Sequence, residues 1–157
     1  ASNPDILFTF QEITRCIKYM NMHMLSMCLS ILKIQGNKMQ ISAAGMPPAL
    51  LYRNKTKSVE EIILKGMPLG AVQDFPYELR QTEIYSGDTI LLMSDGFPEM
   101  FNKDKELFGY ERVIETYQQA ADKNPEEIIR ELKNAGSDWS QSDTLDDDVT
   151  FVVIKVK

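Results

Sequence analysis

The sequence predicts a single α+β layered domain over residues 1–157, and three observations point to it. Strand-type runs crowd the middle of the chain. Helical stripes lie apart from them, at either end. The 157 residues are 43% hydrophobic and 25% charged, an ordinary globular balance and a length suited to one core.

The elements follow in order. Asn3 suits an N-cap and Pro4 a first helical position. Ile6, Phe10, Ile13, Ile17 and Met20 then recur at helical spacing, which predicts a helix over about residues 4–20. Residues 23–34 are apolar on both alternating faces and predict a central strand buried on two sides. Gln35, Gly36, Asn37 and Lys38 spell a tight turn into a second strand, residues 39–44. Residues 45–48 break the pattern. Residues 49–53 and 58–64 predict another hairpin, and residues 66–70 a loop. Residues 77–84 and 89–94 read as strands joined through Ser86, Gly87 and Asp88. Residues 111–121 and 125–135 carry helical stripes. Asn124, Pro125 and Glu127 resemble a capping box, and Gly136 is placed to end that helix. Polar residues 137–146 lead into a last strand, 149–156.

Charge narrows the partners. The net charge of −6 disfavours nucleic acid and anionic membrane surfaces, which would repel it. An anionic substrate would need a bound cation to welcome it. Cys16 and Cys28 lie in apolar surroundings without a dense disulfide framework, so both are expected as small core residues of a cytoplasmic protein. No stretch reads as a signal peptide or span. The most apolar one, residues 22–34, is interrupted by polar residues and falls short of the roughly 20 residues a bilayer needs. The lone histidine, His23, is expected in the core or at a strand edge.

Two acidic spots carry the candidate chemistry. Asp95 follows the apolar run Thr89 to Met93 and precedes Gly96, so its carboxylate is expected at the end of a buried strand, rigid and hard to solvate fully. Asp146, Asp147 and Asp148 sit just before the last strand, where adjacent like charges repel unless a cation or donors compensate. Hard divalent ions such as Mg²⁺ or Mn²⁺ prefer such oxygen ligands. Either spot alone reads equally as a turn or a solvated loop.

Several elements in order resemble one family. Residues 42–51 are similar to an Asn-Ala-Gly-His-Pro-Pro-type element, and Gly66, Pro68, Leu69 and Gly70 to a Gly-x-Pro-Leu-Gly loop. Residues 86–99, with Gly87, Asp88, Asp95, Gly96 and Glu99, resemble its Gly-Asp and Thr-Asp-Gly motif. Residues 106–109 match a Phe-Gly element, and Asp147, Asp148, Val149 and Thr150 its Asp-Asp-x-Thr motif. By these residues the chain resembles the SpoIIE/RsbU branch of the protein phosphatase 2C superfamily. The resemblance implies a layered β-sandwich flanked by helices and metal-assisted hydrolysis by two or more Mn²⁺ or Mg²⁺ ions. Asp95 and Asp147 would be the catalytic metal ligands. Asp148 would support the site, and Gly96 would let the backbone turn close to it. The substrate implied is a phosphorylated STAS-domain anti-anti-sigma protein in a bacterial partner-switching pathway.

The sequence also departs from the family. No Asp-Gly element of the kind that bridges two ions precedes the first helix, so the sandwich is expected to be incomplete at its N-terminus and the chain alone a poor phosphatase. Met46 stands where the family has His. Missing strands would leave unpaired edges that invite a homodimer. Two other readings stay open: a catalytically impaired module that binds a partner through residues 66–70 and 99–117, and a general Mg²⁺-dependent hydrolase of small phosphates.

Overall fold

Helix α1 (Ile6–Tyr19) begins at Asp5, whose Oδ1 accepts from the Phe8 amide at 2.9 Å. The computed structural model describes residues 5–20, 25–141 and 147–157. The expected caps Asn3 and Pro4, together with His23 and Asp146, lie outside the described residues. The chain forms two units, residues 1–46 with 63–84 and residues 47–62 with 85–157, and each is described by itself.

In the first unit, α1 buries Ile6, Phe10, Thr14 and Ile17. They pack with Ala44, Leu69 and Tyr77, and Phe10 meets Tyr77 edge-on at 5.1 Å. Met20, expected on this stripe, is the C-cap instead and is 59% exposed. Strands β1 (Leu29–Gln35) and β2 (Lys38–Ala44) form the expected hairpin, with Leu29 opposite Ala44 and Gln35 opposite Lys38. The expectation of a central, doubly buried first strand is corrected. The sheet order is β1-β2-β5, so β1 lies at an edge among the described residues and β2 is central. Apolar residues on both faces of a short run report side-chain character, not the number of neighbouring strands. Leu69 of the 66–70 loop is fully buried, and its amide and carbonyl bridge to Met27 at 2.8 and 2.9 Å. Cys16 and Cys28 are free and exposed, not core residues. Cys16 falls off the buried face of α1, which Thr14 and Ile17 define.

The second unit holds a four-stranded antiparallel sheet of order β4-β3-β6-β7: β3 (Ala49–Arg53), β4 (Ser58–Ile62), β6 (Thr89–Met93) and β7 (Phe151–Lys155). The short strand β5 (Arg80–Glu83) belongs to the first unit, where it pairs with β2. Helices α2 (Gly109–Ala120) and α3 (Pro125–Ser140) contribute Val113, Tyr117, Ile128 and Leu132 to a core shared with Leu50, Leu91 and Phe97. The Asn124 capping box forms as expected, worth about 1 kcal/mol. Gly136 does not end α3, however. The helix continues to Ser140 and closes on Gln141 in the left-handed conformation, φ 48°. Gly136 serves packing instead, since a Cβ there would stand 3.0 Å from Phe97 Cε2.

Three buried polar side chains lock this unit. The Tyr117 hydroxyl donates to Thr89 O at 2.8 Å, and the Thr89 hydroxyl donates to Ala121 O at 2.9 Å, tying α2 to the start of β6. Asp88, only 2% exposed, accepts from the Asn54 and Tyr85 amides and pairs with Arg53 at 3.1 Å. Burial opposes the charge on Arg53, but its hydrogen bonds to Glu60 and Asp88 outweigh that, and its pKa stands above the ordinary value.

Removing Asp88 takes away the buried carboxylate that the Arg53 guanidinium and the Asn54 and Tyr85 amides share. Asp88→Ala is therefore expected to cost about 3 kcal/mol in urea unfolding, whereas Glu60→Ala, at the exposed end of the same arginine, costs about 1 kcal/mol or less. Burial also pushes the Tyr117 hydroxyl pKa up from 10.0. The folded state then holds this proton where the unfolded chain releases it, so stability is intact below pH 10 and falls as pH rises above it. Unfolding curves across the alkaline range should show a shallower fall for Tyr117→Phe than for the parent.

Candidate metal and phosphate site

Strand β6 is buried along nearly its whole length, with Thr89, Ile90 and Leu91 fully covered. After Ser94 the chain enters a turn closed by the Glu99 amide on Asp95 O at 3.0 Å. Strand β7 returns alongside, pairing Met93 with Phe151. Past the last ladder pair the two segments stay joined. The Ser94 amide donates to Thr150 O at 3.1 Å. The Ser94 hydroxyl donates to Asp148 O and accepts from the Thr150 amide, both at 2.9 Å.

Gly96 makes the approach closer still. A Cβ on it would sit 2.6 Å from Asp148 O and 3.3 Å from Asp147 Cβ, so only glycine fits. Ser94 and Gly96, the two residues that flank Asp95, thus lie against the Asp147–Asp148 segment, although more than fifty positions separate the segments along the chain. The Asp147 carboxylate accepts from the Asp148 amide at 2.7 Å, which fixes one of its oxygens.

The expectation that Asp95 is hard to solvate is corrected. Asp95, Asp147 and Asp148 are all exposed, because each follows or precedes the strand end instead of lying within it. Among the described residues, no group of three or more Asp, Glu, His or Cys gathers that could hold a metal ion. What the site offers is an oxygen-only set of carboxylates in two apposed segments, a donor chemistry that suits a hard divalent cation.

Two neighbours were not singled out by sequence reasoning. Ser94 bonds both segments, and a serine preceding the aspartate at a strand end was its only signal. The second is Tyr110 in α2. Burial, then the negative charges of Glu99 and Asp95, push its hydroxyl pKa up, so it stays a neutral donor beside the turn. Nothing in the sequence marked it, because its proximity arises from the fold of residues 95–110.

A family model described as Stage II sporulation protein E (SpoIIE) matches residues 6–157. The chain is 26% identical over 134 residues to Stage II sporulation protein E of Bacillus subtilis (strain 168), covering 82% of this chain and 15% of that protein. It is 26% identical over 118 residues to the phosphoserine phosphatase RsbU of the same organism, covering 74% of this chain and 34% of that protein. The chain therefore spans about a third or less of the length of the curated relatives it matches. Among solved structures, the SiaA-PP2C domain of Pseudomonas aeruginosa is similar with a TM-score of 0.79 at 16% identity, covering 94% of this chain and 58% of that one. This likeness shows the fold, and the α+β protein phosphatase 2C-like architecture expected from the sequence is the one observed.

The serine and the glycine hold the two acidic segments together in different ways. Ser94→Ala removes two hydrogen bonds and is expected to cost about 1–2 kcal/mol in urea unfolding. Gly96→Ala forces backbone apart and should cost more, with amide chemical shifts moving across residues 147–150 in both variants.

Proposed function

Because this chain belongs to the SpoIIE family, we propose that it works as a metal-dependent serine/threonine phosphoprotein phosphatase. The observation that carries this reading is the apposition of the Asp95 turn with Asp147 and Asp148 through Ser94 and Gly96. In this reading Asp95 and Asp147 hold Mn²⁺ or Mg²⁺, Asp148 supports them, and all of residues 1–157 count as one catalytic domain. The substrate is a phosphorylated STAS-domain anti-anti-sigma protein of a bacterial partner-switching pathway, and the setting is the cytoplasm. Among the described residues no helix is long and apolar enough to cross a membrane.

The chemistry needs a cation for an electrostatic reason. A phosphate dianion approaching a chain of net charge −6 is repelled. Bound divalent ions would neutralise the phosphate and lower the pKa of a coordinated water. The chain's own residues supply position. Ser94 fixes the spacing of the two acidic segments, the Asp148 amide orients the Asp147 carboxylate, and Gly96 keeps side-chain bulk out of the junction. The two cysteines, Cys16 and Cys28, lie outside any Cys-x5-Arg loop, so neither reads as a nucleophile for a phosphoenzyme.

Two carboxylate positions hold an ion weakly, so residues 1–157 by themselves are expected to release phosphate slowly from a phosphoserine protein even in excess Mn²⁺. In the protein as its gene encodes it, Asp95→Asn and Asp147→Asn should each weaken Mn²⁺ binding by about tenfold or more in calorimetry and abolish phosphate release. The circular dichroism spectrum should stay unchanged. Mn²⁺ titrations identical to the parent for both variants would overturn the assignment and favour a non-catalytic binding module.

A further inference from the structure

Phe97 stands two positions beyond Asp95, in the turn that the Glu99 amide closes on Asp95 O, and is buried. Phe151 opens β7 and stands four positions beyond Asp147. Their rings meet edge-on, with centroids 4.8 Å apart and planes at 81°. A contact of this kind depends on orientation as well as on buried area. Each of the two acidic segments therefore enters the core through one member of a single ring pair.

The pair continues into a row that ends on α3. Phe108 lies 5.0 Å from Phe97 between ring centres, and Trp139 lies 6.0 Å from Phe108. One turn earlier the same helix reaches Phe97 directly. A Cβ built on Gly136 would stand 3.0 Å from Phe97 Cε2 and 3.3 Å from Met100 Cε. Glycine inside a helix gives up stability relative to alanine. Here the ring occupies the space that an alanine methyl would need.

Elsewhere the ring borders open space. Phe97, Met100, Ile129, Gly136, Val149 and Phe151 are among the residues lining a cavity of about 430 Å³. Side chains in a filled core are held from every direction, whereas one beside a cavity can shift toward it. The place of the Phe97 ring thus depends on Phe151, Phe108 and Gly136. A shift of the ring carries the Asp95 turn with it, because Gly96 alone separates the two residues.

We propose that Phe97 is a positioning residue of the candidate metal site: its ring, in contact with Phe151 and Gly136, holds the Asp95 turn at the spacing from Asp147 that a shared divalent ion requires. The proposal rests on the phosphatase reading. It adds that α3, which carries none of the candidate ligands, bears on the metal site through one glycine.

The test uses the protein as its gene encodes it and two opposite changes. Phe97→Leu removes the ring contact. Gly136→Ala adds a methyl group that displaces the ring and removes no atom, and its gain in helix propensity offsets part of the crowding. Ile128→Val, in the same helix and core but outside the cavity lining, is the control for general loss of packing. Calorimetric titration is expected to show Mn²⁺ binding weakened about fivefold in Phe97→Leu and in Gly136→Ala, and within about twofold of the parent in Ile128→Val. In the metal-free protein, amide chemical shifts of residues 147–150 should move in the first two variants and stay in place in the control. An equal loss of Mn²⁺ affinity in Ile128→Val would mean ordinary destabilisation. Parental affinity in either Phe97→Leu or Gly136→Ala would mean that the ring does not set the spacing. Either result overturns the proposal, and should Phe97→Leu fail to fold, Gly136→Ala decides it. A parent that binds no Mn²⁺ would remove the phosphatase reading and this proposal with it, whereas unmoved shifts beside normal Mn²⁺ binding by the parent would overturn the proposal alone.

Discussion

Five residue pairs, from Thr89 with Lys155 to Met93 with Phe151, bring the returning strand alongside β6, and the contact continues beyond the ladder. There the Ser94 hydroxyl replaces the next backbone bonds, and Gly96 removes the side chain that would hold the segments apart. The position of every candidate site carboxylate follows from that pairing. Helices α2 and α3 fill the stretch of chain between the two strands, and Tyr117 and Thr89 fasten α2 to the very strand that leads to Asp95. A loss of register between β6 and β7 would turn Phe151 and Val153 away from their places in the core and move the acidic segments apart together.

The sequence revealed those features whose signals are local. The hairpin turn at Gly36 and the Asn124 capping box were legible because a few adjacent residues determine them. So was the buried run of β6, whose side chains all need cover. Features that depend on distant partners were not. Gly136 carries the ordinary mark of a helix end, yet Phe97, from another segment, explains why glycine stands there and the helix runs on. Cys16 and Cys28 have apolar neighbours in sequence, but exposure is decided by which side of the element meets the core. Of the site, the two acidic spots were visible as motifs, and their closeness was expected only through family resemblance. The stitching by Ser94 and the proximity of Tyr110 needed coordinates.

Asp88 and the three candidate site aspartates meet opposite fates. Asp88 is turned inward and fully engaged by an arginine and two amides, so its charge is spent on holding β3 and β6 in place. Asp95, Asp147 and Asp148 are turned outward. Asp147 has a carboxylate oxygen fixed by the neighbouring Asp148 amide. The Gly87-Asp88 and Asp95-Gly96 pairs look alike on paper, and the order of the two residues relates to which way each carboxylate faces. An aspartate opening a buried strand can reach loop amides behind it, whereas one following the strand projects past its end.

Ser94 and Thr150 are 56 positions apart, yet they meet within hydrogen-bond distance. The long excursion between them returns to its starting point, so its length has no bearing on the spacing of the acids. Over evolutionary time such a closed detour can gain or lose turns of helix, or host an inserted segment, while the chemistry at its mouth goes undisturbed. Descendants of one ancestor could then diversify what they recognise by remodelling the detour, each inheriting the same pair of acidic segments unchanged.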